Sequence, residues 1–145
     1  MVDVPLLRLD PDLDAPRRMR AGDAAADLPA AAAVTVPAGG RVLVPTGFAV
    51  AIPDGHAGLV LPRSGLALQH GVTVLNAPGL IDSGYRGELK VVLLNTSSVD
   101  VVIERGQRIA QLLVIAVPAF QLVATDSLPE APDDRGAAGF GSSGS

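Results

Sequence analysis

Apolar residues come in short runs along this chain, and turn chemistry separates the runs. Stretches rich in Val, Leu and Ile occupy Arg41–Val44, Phe48–Ile52, Gly58–Leu61 and Val72–Leu75, then Glu88–Leu94, Val99–Ile103, Ile109–Val117 and Phe120–Ala124. Between them lie "PAGG", "PTG", "PDGHAG", "APG", "DSGYRG", "NTSS" and "ERGQ". Gly supplies positive φ, Pro fixes φ, and Asp, Asn and Ser bond back to their own backbone, so each of these is a turn signal with a mechanism. Many short strands at this spacing predict an all-β sandwich or barrel. The 12 prolines gather at the ends of runs, where edges and turns accept a residue without an N–H, and they argue against long helices. Phe48 and Phe120 lie within runs and are predicted core residues.

"PRSGLALQHG" breaks the pattern. Ser64 stands where an N-cap belongs and Gly71 where a helix stops, which predicts one short helix from Gly65 to His70. Arg63, Ser64 and Gly65 would bring a guanidinium, a hydroxyl and free backbone N–H groups to its first turn, a setting that favours anions. A capped helix with a solvated Arg has the same signature, and the motif alone does not separate the two.

The chain ends in "DDRGAAGFGSSGS". Gly, Ala and Ser without periodicity cannot build a core, so residues 1–128 are expected to form the β-domain and 129–145 a flexible arm. Most such tails are only disordered. Here Phe140 has no apolar neighbours to bury it, and Arg135 with "GFGSSG" supplies charge, bare N–H groups and hydroxyls as phosphate-cradling loops do. It is not a Walker motif, which needs a Lys after the Gly.

Composition narrows the classes. The chain has no Cys, so disulfides and Cys-based metal sites are excluded, and with two His, His56 and His70, a zinc site would need carboxylates. A net charge of -4, with no basic cluster beyond Arg17 to Arg20, disfavours nucleic-acid binding through a basic face. "MVDVPLLRLD" carries charge too early for a signal peptide, and Leu112–Val117 is far too short to span a membrane. A cytoplasmic chain with no membrane partner is expected. A single lysine against ten arginines, with abundant Ala, suits a GC-rich bacterial genome.

That lysine sharpens the chemistry. Lys90, the only Tyr (Tyr85) and Asp82 all fall within "APGLIDSGYRGELKVVLLN", although a hairpin needs no Tyr or Lys. Tyr85 and Phe140 lie in Gly-rich sequence, where a flat ring serves to stack on a ligand. Asp82 can act as a general base on water, Tyr85 can lie against a sugar, and Lys90 can offset negative charge. "GDAAADL" adds Asp23 and Asp27, of a type that suits Mg²⁺ held through water beside phosphates. Together these suggest hydrolysis of a nucleoside polyphosphate.

Five motifs in order resemble the homotrimeric all-β dUTPase family, the deoxyuridine triphosphate nucleotidohydrolases. They are "DAAADL" (Asp23–Leu28), "PRSGLA" (Pro62–Ala67), "NAPGLIDSGYRGELK" (Asn76–Lys90), "RGQRIAQL" (Arg105–Leu112) and "RGAAGFGSSG" (Arg135–Gly144), covering nearly the whole chain. The third is long and specific, whereas the first alone is weak.

The resemblance implies a distorted jelly-roll-like β-barrel or sandwich with one short helix and a flexible C-terminal tail. It implies a homotrimer with active sites shared between subunits, and hydrolysis of dUTP to dUMP and pyrophosphate with Mg²⁺. Asp82 would activate the water that attacks the α-phosphorus. Asn76 and the backbone of Leu80, Ile81 and Asp82 would read the uracil edge, and Tyr85 would exclude a 2′-hydroxyl. Arg63, Ser64 and Gly65 would hold phosphates with Gln111 nearby, Lys90 matches a substrate-contacting position, and Asp27 would anchor Mg²⁺ through water. Phe140 would stack on the uracil while Arg135, Gly141 and Ser142 meet the phosphates.

The first motif departs from the family pattern: Ala25 stands where Gly is usual, and Ala26 where an aromatic is common. If the family's Gly has positive φ, Ala costs roughly 1 kcal/mol there and can shift Asp27. Two rivals follow from other classes. A dCTP deaminase shares the "RSG" motif but carries a catalytic Glu where this chain has Val92. A non-catalytic β-sandwich module explains the strands but not Asp82, Tyr85, Arg63 and the tail together.

Overall fold

A computed structural model describes residues 1–130 and Pro132 of this chain. The clearest local signature is in Glu88–Asn95 (β8), where Leu89, Val91, Leu93 and Asn95 are buried and the residues between them are not. That period of two is what a strand with one face on a core requires. Its antiparallel neighbours are Arg41–Val50 (β4) and Val72–Val74 (β6), and Leu6–Arg8 (β1) completes a sheet of order β1-β4-β8-β6. A second sheet runs β2-β10-β5-β7, made of Ala26–Pro29 (β2), Arg108–Ala116 (β10), His56–Leu61 (β5) and Gly79–Ile81 (β7). Val34–Val36 (β3) and Val101–Ile103 (β9) form a two-stranded ribbon. All pairings are antiparallel, as expected for an all-β chain of short strands.

One core joins the two main sheets. Leu28, Val60 and Leu112 from one meet Val44, Val50, Leu89, Val91 and Leu93 from the other in a single buried cluster. Burying each such side chain contributes roughly 1.5–3 kcal/mol relative to exposure. The buried polar groups are satisfied: Thr46 Oγ1 donates to Leu89 O at 2.7 Å, and Asn95 Nδ2 donates to Val36 O and Val99 O. Asn95 also explains why β9 starts at Val101 and not Val99, because Val99 O is taken up in the Asn95–Val99 turn.

"PTG" does not end a strand. β4 runs through it, with a register shift between Pro45 and Ala49 against β8. Gly47 has φ +77°, and its N–H donates to Glu88 Oε1 at 2.9 Å. This is a β-bulge, which bends a strand without breaking it. A Cβ on Gly47 would lie 2.9 Å from Asp10 Cβ, so both the conformation and the N-terminal loop packed there demand Gly.

The helix spans Ser64–His70 (α1), one residue longer than predicted. Its N-cap is Arg63, with extended φ/ψ and no side-chain cap bond, so Ser64 is a helical residue and its hydroxyl is left for other partners. Gly71 closes it in the left-handed region, with φ 66°, as a C-terminal Gly does.

Phe120 is not in the core. It is 80% exposed, and Phe120–Ala124 forms no strand. Pro118 has no N–H with which to extend the ladder past Ala116, and no described strand flanks the segment. Phe48, by contrast, is fully buried. Among the described residues no helix is long and apolar enough to cross a membrane.

Candidate active site

Asp82 follows directly from β7, which pairs with β5 through Gly79↔Val60, Leu80↔Leu59 and Ile81↔Gly58. Among the described residues β7 is the edge of its sheet, so one side of its backbone has no strand partner. The Asp82–Tyr85 segment then reverses the chain, with Tyr85 N–H donating to Asp82 O at 3.1 Å. Asp82 is exposed, Leu80 is 62% exposed, and Asn76 folds its amide over Gly79, 3.3 Å from where a Cβ there would sit. Asn76, Leu80, Ile81, Asp82 and Tyr85 are thus brought to one hairpin.

Tyr85 is held by its own turn. Its hydroxyl donates to Glu88 O at 2.8 Å, and the ring crosses Gly87. Arg86, which carries no role in the motif comparison, donates from Nη1 to Ser83 O at 2.6 Å and to Tyr85 O at 2.8 Å. These bonds hold the loop between Asp82 and Tyr85. An Arg between Tyr85 and Gly87 in "GYRG" is the available signal. Lys90 lies on β8 with Nζ 3.9 Å from Glu88 Oε2.

A second group forms across β2, β10 and β5. Asp27 stands opposite Gln111, and Gln111 opposite Leu61. Two residues past Leu61 is Arg63, whose Nε donates to Asp27 Oδ1 at 2.9 Å and whose Nη1 donates to Arg108 O at 3.1 Å. Arg108 Nη1 donates to Asp27 Oδ2 at 3.0 Å. Gln111 Nε2 donates to Pro62 O at 2.9 Å and so braces the approach to α1. Ser64 and Gly65 lie exposed at the start of α1, beside this network. At such exposure the ion pairs order side chains more than they stabilise the fold. Two guanidiniums on one carboxylate leave net positive charge, which suits a phosphate chain.

Asp23 does not join Asp27: its Oδ2 accepts from Arg20 N–H at 2.9 Å within its own loop. Among the described residues no three acidic or His side chains gather around one point. Asp27 is the carboxylate of the clamp, and each of its oxygens keeps acceptor capacity beyond its Arg contact. That donor set fits a hydrated Mg²⁺ carried by phosphates and touching Asp27 through water, not an all-protein cage.

The two groups lie apart within one chain. Asp82 is level with Ala57 on β5, and Asp27 with Leu61 two strands further across. Four residues at ~3.3 Å and three strand spacings at ~4.8 Å separate them by roughly 20 Å. Arg135, Phe140, Gly141 and Ser142 lie outside the described residues.

Comparison with known proteins gives the family. The dUTPase family model matches residues 12–144. The chain is 52% identical to the deoxyuridine 5'-triphosphate nucleotidohydrolase of Thermobifida fusca, covering 99% of this chain and 79% of the relative. It is 50% identical to the enzyme of the same name from Mycobacterium tuberculosis, covering 96% and 93%. A Staphylococcus bacteriophage 80alpha dUTPase solved with dUpNHpp superposes with a TM-score of 0.90 at 26% identity, covering all of both chains. A dUTPase of phage phi11 of S. aureus, described with a structural Mg(II) ion, shares the fold at TM-score 0.81 and 22% identity over 87% of this chain and 98% of that one. The chain belongs to the dUTPase family.

Proposed function

We propose that this dUTPase cleaves dUTP by Asp82-activated attack of water on the α-phosphorus. The water oxygen bonds to phosphorus, its proton passes to the Asp82 carboxylate, and the bond to the bridging oxygen breaks to release pyrophosphate and leave dUMP. An exposed carboxylate at the end of a strand that is a sheet edge among the described residues is the observation that carries the reading. The unpaired N–H and C=O groups of β7 offer uracil's imide edge the pairing a further strand would make, with Asn76 completing it. Tyr85, fixed across Gly87, is the wall against a 2′-hydroxyl. Arg63, Ser64 and Gly65 bind the β- and γ-phosphates and stabilise charge on the leaving pyrophosphate, with Gln111 bracing the loop. Lys90 adds positive charge on the adjacent strand. Mg²⁺, when bound with the nucleotide, offsets phosphate charge, and Asp27 meets its water shell.

The general base and the phosphate clamp must serve one short triphosphate, yet roughly 20 Å separates them within a chain by strand spacing and rise. That separation supports a homotrimer in which Asp82 of one subunit works with the clamp of another. The arm from residue 129 onward then closes over the site, Phe140 stacking on uracil and Arg135, Gly141 and Ser142 meeting phosphate, which excludes bulk water. Removing dUTP limits uracil incorporation into DNA and supplies dUMP for thymidylate synthesis.

Pyrophosphate release measured across dUTP, dTTP, dCTP and UTP tests the reading. Turnover confined to dUTP is expected. Equal turnover of UTP or dCTP, or ammonia release from dCTP, overturns it.

A further inference from the structure

β7 ends at Ile81, so the ladder that holds the hairpin stops one residue short of Asp82. From Asp82 to Gly87 the chain crosses to β8 without strand pairing among the described residues. Packing does little for the tip of this turn: a Cβ on Gly84 would meet nothing within 4 Å. Hydrogen bonds hold it instead. Tyr85 N–H closes the turn on Asp82 O, and Arg86 Nη1 spans it, donating to both Ser83 O and Tyr85 O. The carbonyls of Asp82, Ser83 and Tyr85 are thereby all engaged, two of them by one guanidinium nitrogen. Arg86 also borders the other sheet. It lines a cleft of about 200 Å³ with Leu7 and Ala49, and Ala49 pairs with Glu88 where β8 begins.

We propose, resting on the dUTP reading above, that Arg86 is a positioning residue for the hydrolysis. By holding the Ser83 and Tyr85 carbonyls it fixes the turn that aims the Asp82 carboxylate at water. Uracil recognition and the base are anchored differently. Leu80 and Ile81 are held by pairing with β5, whereas Asp82 lies past that ladder. Loss of Arg86 should therefore disturb aim and spare nucleotide binding. Misplacing a reacting group by about 1 Å costs on the order of 10²-fold in rate. A guanidinium that itself contacts the nucleotide is the competing account, and it predicts weaker binding with turnover of bound substrate retained.

dUTP kinetics, calorimetric titration with dUMP, thermal melting and amide hydrogen exchange of the full chain test this. Arg86→Met keeps an unbranched stem and removes the donors. Its kcat should fall by roughly 10–10²-fold. The KM for dUTP and Kd for dUMP should stay within about threefold, the split expected when aim alone is lost. Tm should stay within about 2 °C, as for an exposed side chain. Exchange of the Tyr85 amide should quicken by roughly tenfold while the amides of β8 keep their protection. Arg86→Lys should recover part of the kcat, because an ammonium can also donate to two carbonyls from one nitrogen. A folded Arg86→Met variant with kcat within about threefold of wild type overturns the proposal. So does retained kcat with a raised KM or weakened dUMP, the pattern of a direct ligand contact. Unchanged exchange at Tyr85, or faster exchange throughout β7 and β8 with a lower Tm, overturns it as well. If Arg86→Met fails to fold, Arg86→Lys and Arg86→Gln carry the same comparison. Absence of dUTP turnover by the wild-type chain would sink the proposed function instead, while exchange at Tyr85 would still report on Arg86.

Discussion

The hydroxyl of Tyr85 donates to the carbonyl of Glu88, 2.8 Å away and three residues further along. The bond draws the ring across Gly87, where a Cβ would lie 2.5 Å from Tyr85 Oη and 2.7 Å from Cζ. Gly87 is needed there for room, and the ring becomes a fixed surface beside Asp82.

Gly87→Ala should displace that ring. Discrimination between dUTP and UTP, as the ratio of kcat/KM values, is expected to narrow by roughly tenfold, the order of one lost steric contact. Tyr85→Phe keeps the ring but removes the bond that draws it across Gly87, so it should narrow the ratio too, by less than Gly87→Ala, in which a Cβ takes the ring's place. Full wild-type discrimination in folded Gly87→Ala would remove the ring from its role as the wall.

Asp82→Asn should preserve the fold, since the side chain is exposed and nearly isosteric. The kcat is expected to fall by about 10²–10⁴-fold, as for a removed general base, with nucleotide affinity retained. Turnover within tenfold of wild type, followed by pyrophosphate release, would exclude Asp82 as the base.

Truncation after Asp134 and Asp82→Asn should each be inactive alone and rescue each other in hybrid trimers. Co-refolding the two chains places an intact Asp82 from one with an intact tail from another in some sites. Activity of the mixture should rise well above either parent. Hybrid trimers that form and stay inactive would show that each site draws both elements from one chain.

Arg105 and Asp10 tie the N-terminal loop to the turn before β10, through Arg105 Nη2 to Asp10 Oδ1 at 3.0 Å and Nη1 to Oδ2. The hydrogen bonds from Arg105 hold the Asp10 carboxyl below its ordinary value, against a smaller opposing effect of burial; the N–H of Asp12 and the Arg105 charge add to the lowering. A carboxyl whose folded-state pKa is depressed stabilises the fold above its unfolded value, and that stability disappears as pH falls through the folded value. Asp10→Asn should therefore lower Tm at neutral pH, with the gap to wild type closing below the ordinary carboxylate range. A gap that stays constant with pH would assign the effect to packing.

Features carried within a few neighbouring residues were legible in the sequence. Alternation in Glu88–Asn95 marks a half-buried strand, Gly71 stops a helix, and Asp82 and Tyr85 stand out in a turn that needs neither chemistry. Short-range sterics and burial periodicity act over such distances. "PTG" and Phe120 are not legible in this way because their roles depend on partners: Gly47 is a bulge only because Glu88 and Asp10 lie against it, and Phe120 is exposed because no described strand pairs with its segment. Strands β1, β3, β6, β7 and β9 have three residues each, too few to show a period; β6 and β9 fall within apolar runs, whereas β1, β3 and β7 exist through their neighbours. The clamp is tertiary for the same reason. Asp27 meets Arg63 across 36 positions and Arg108 across 81, and only the register of β2, β10 and β5 brings the three together.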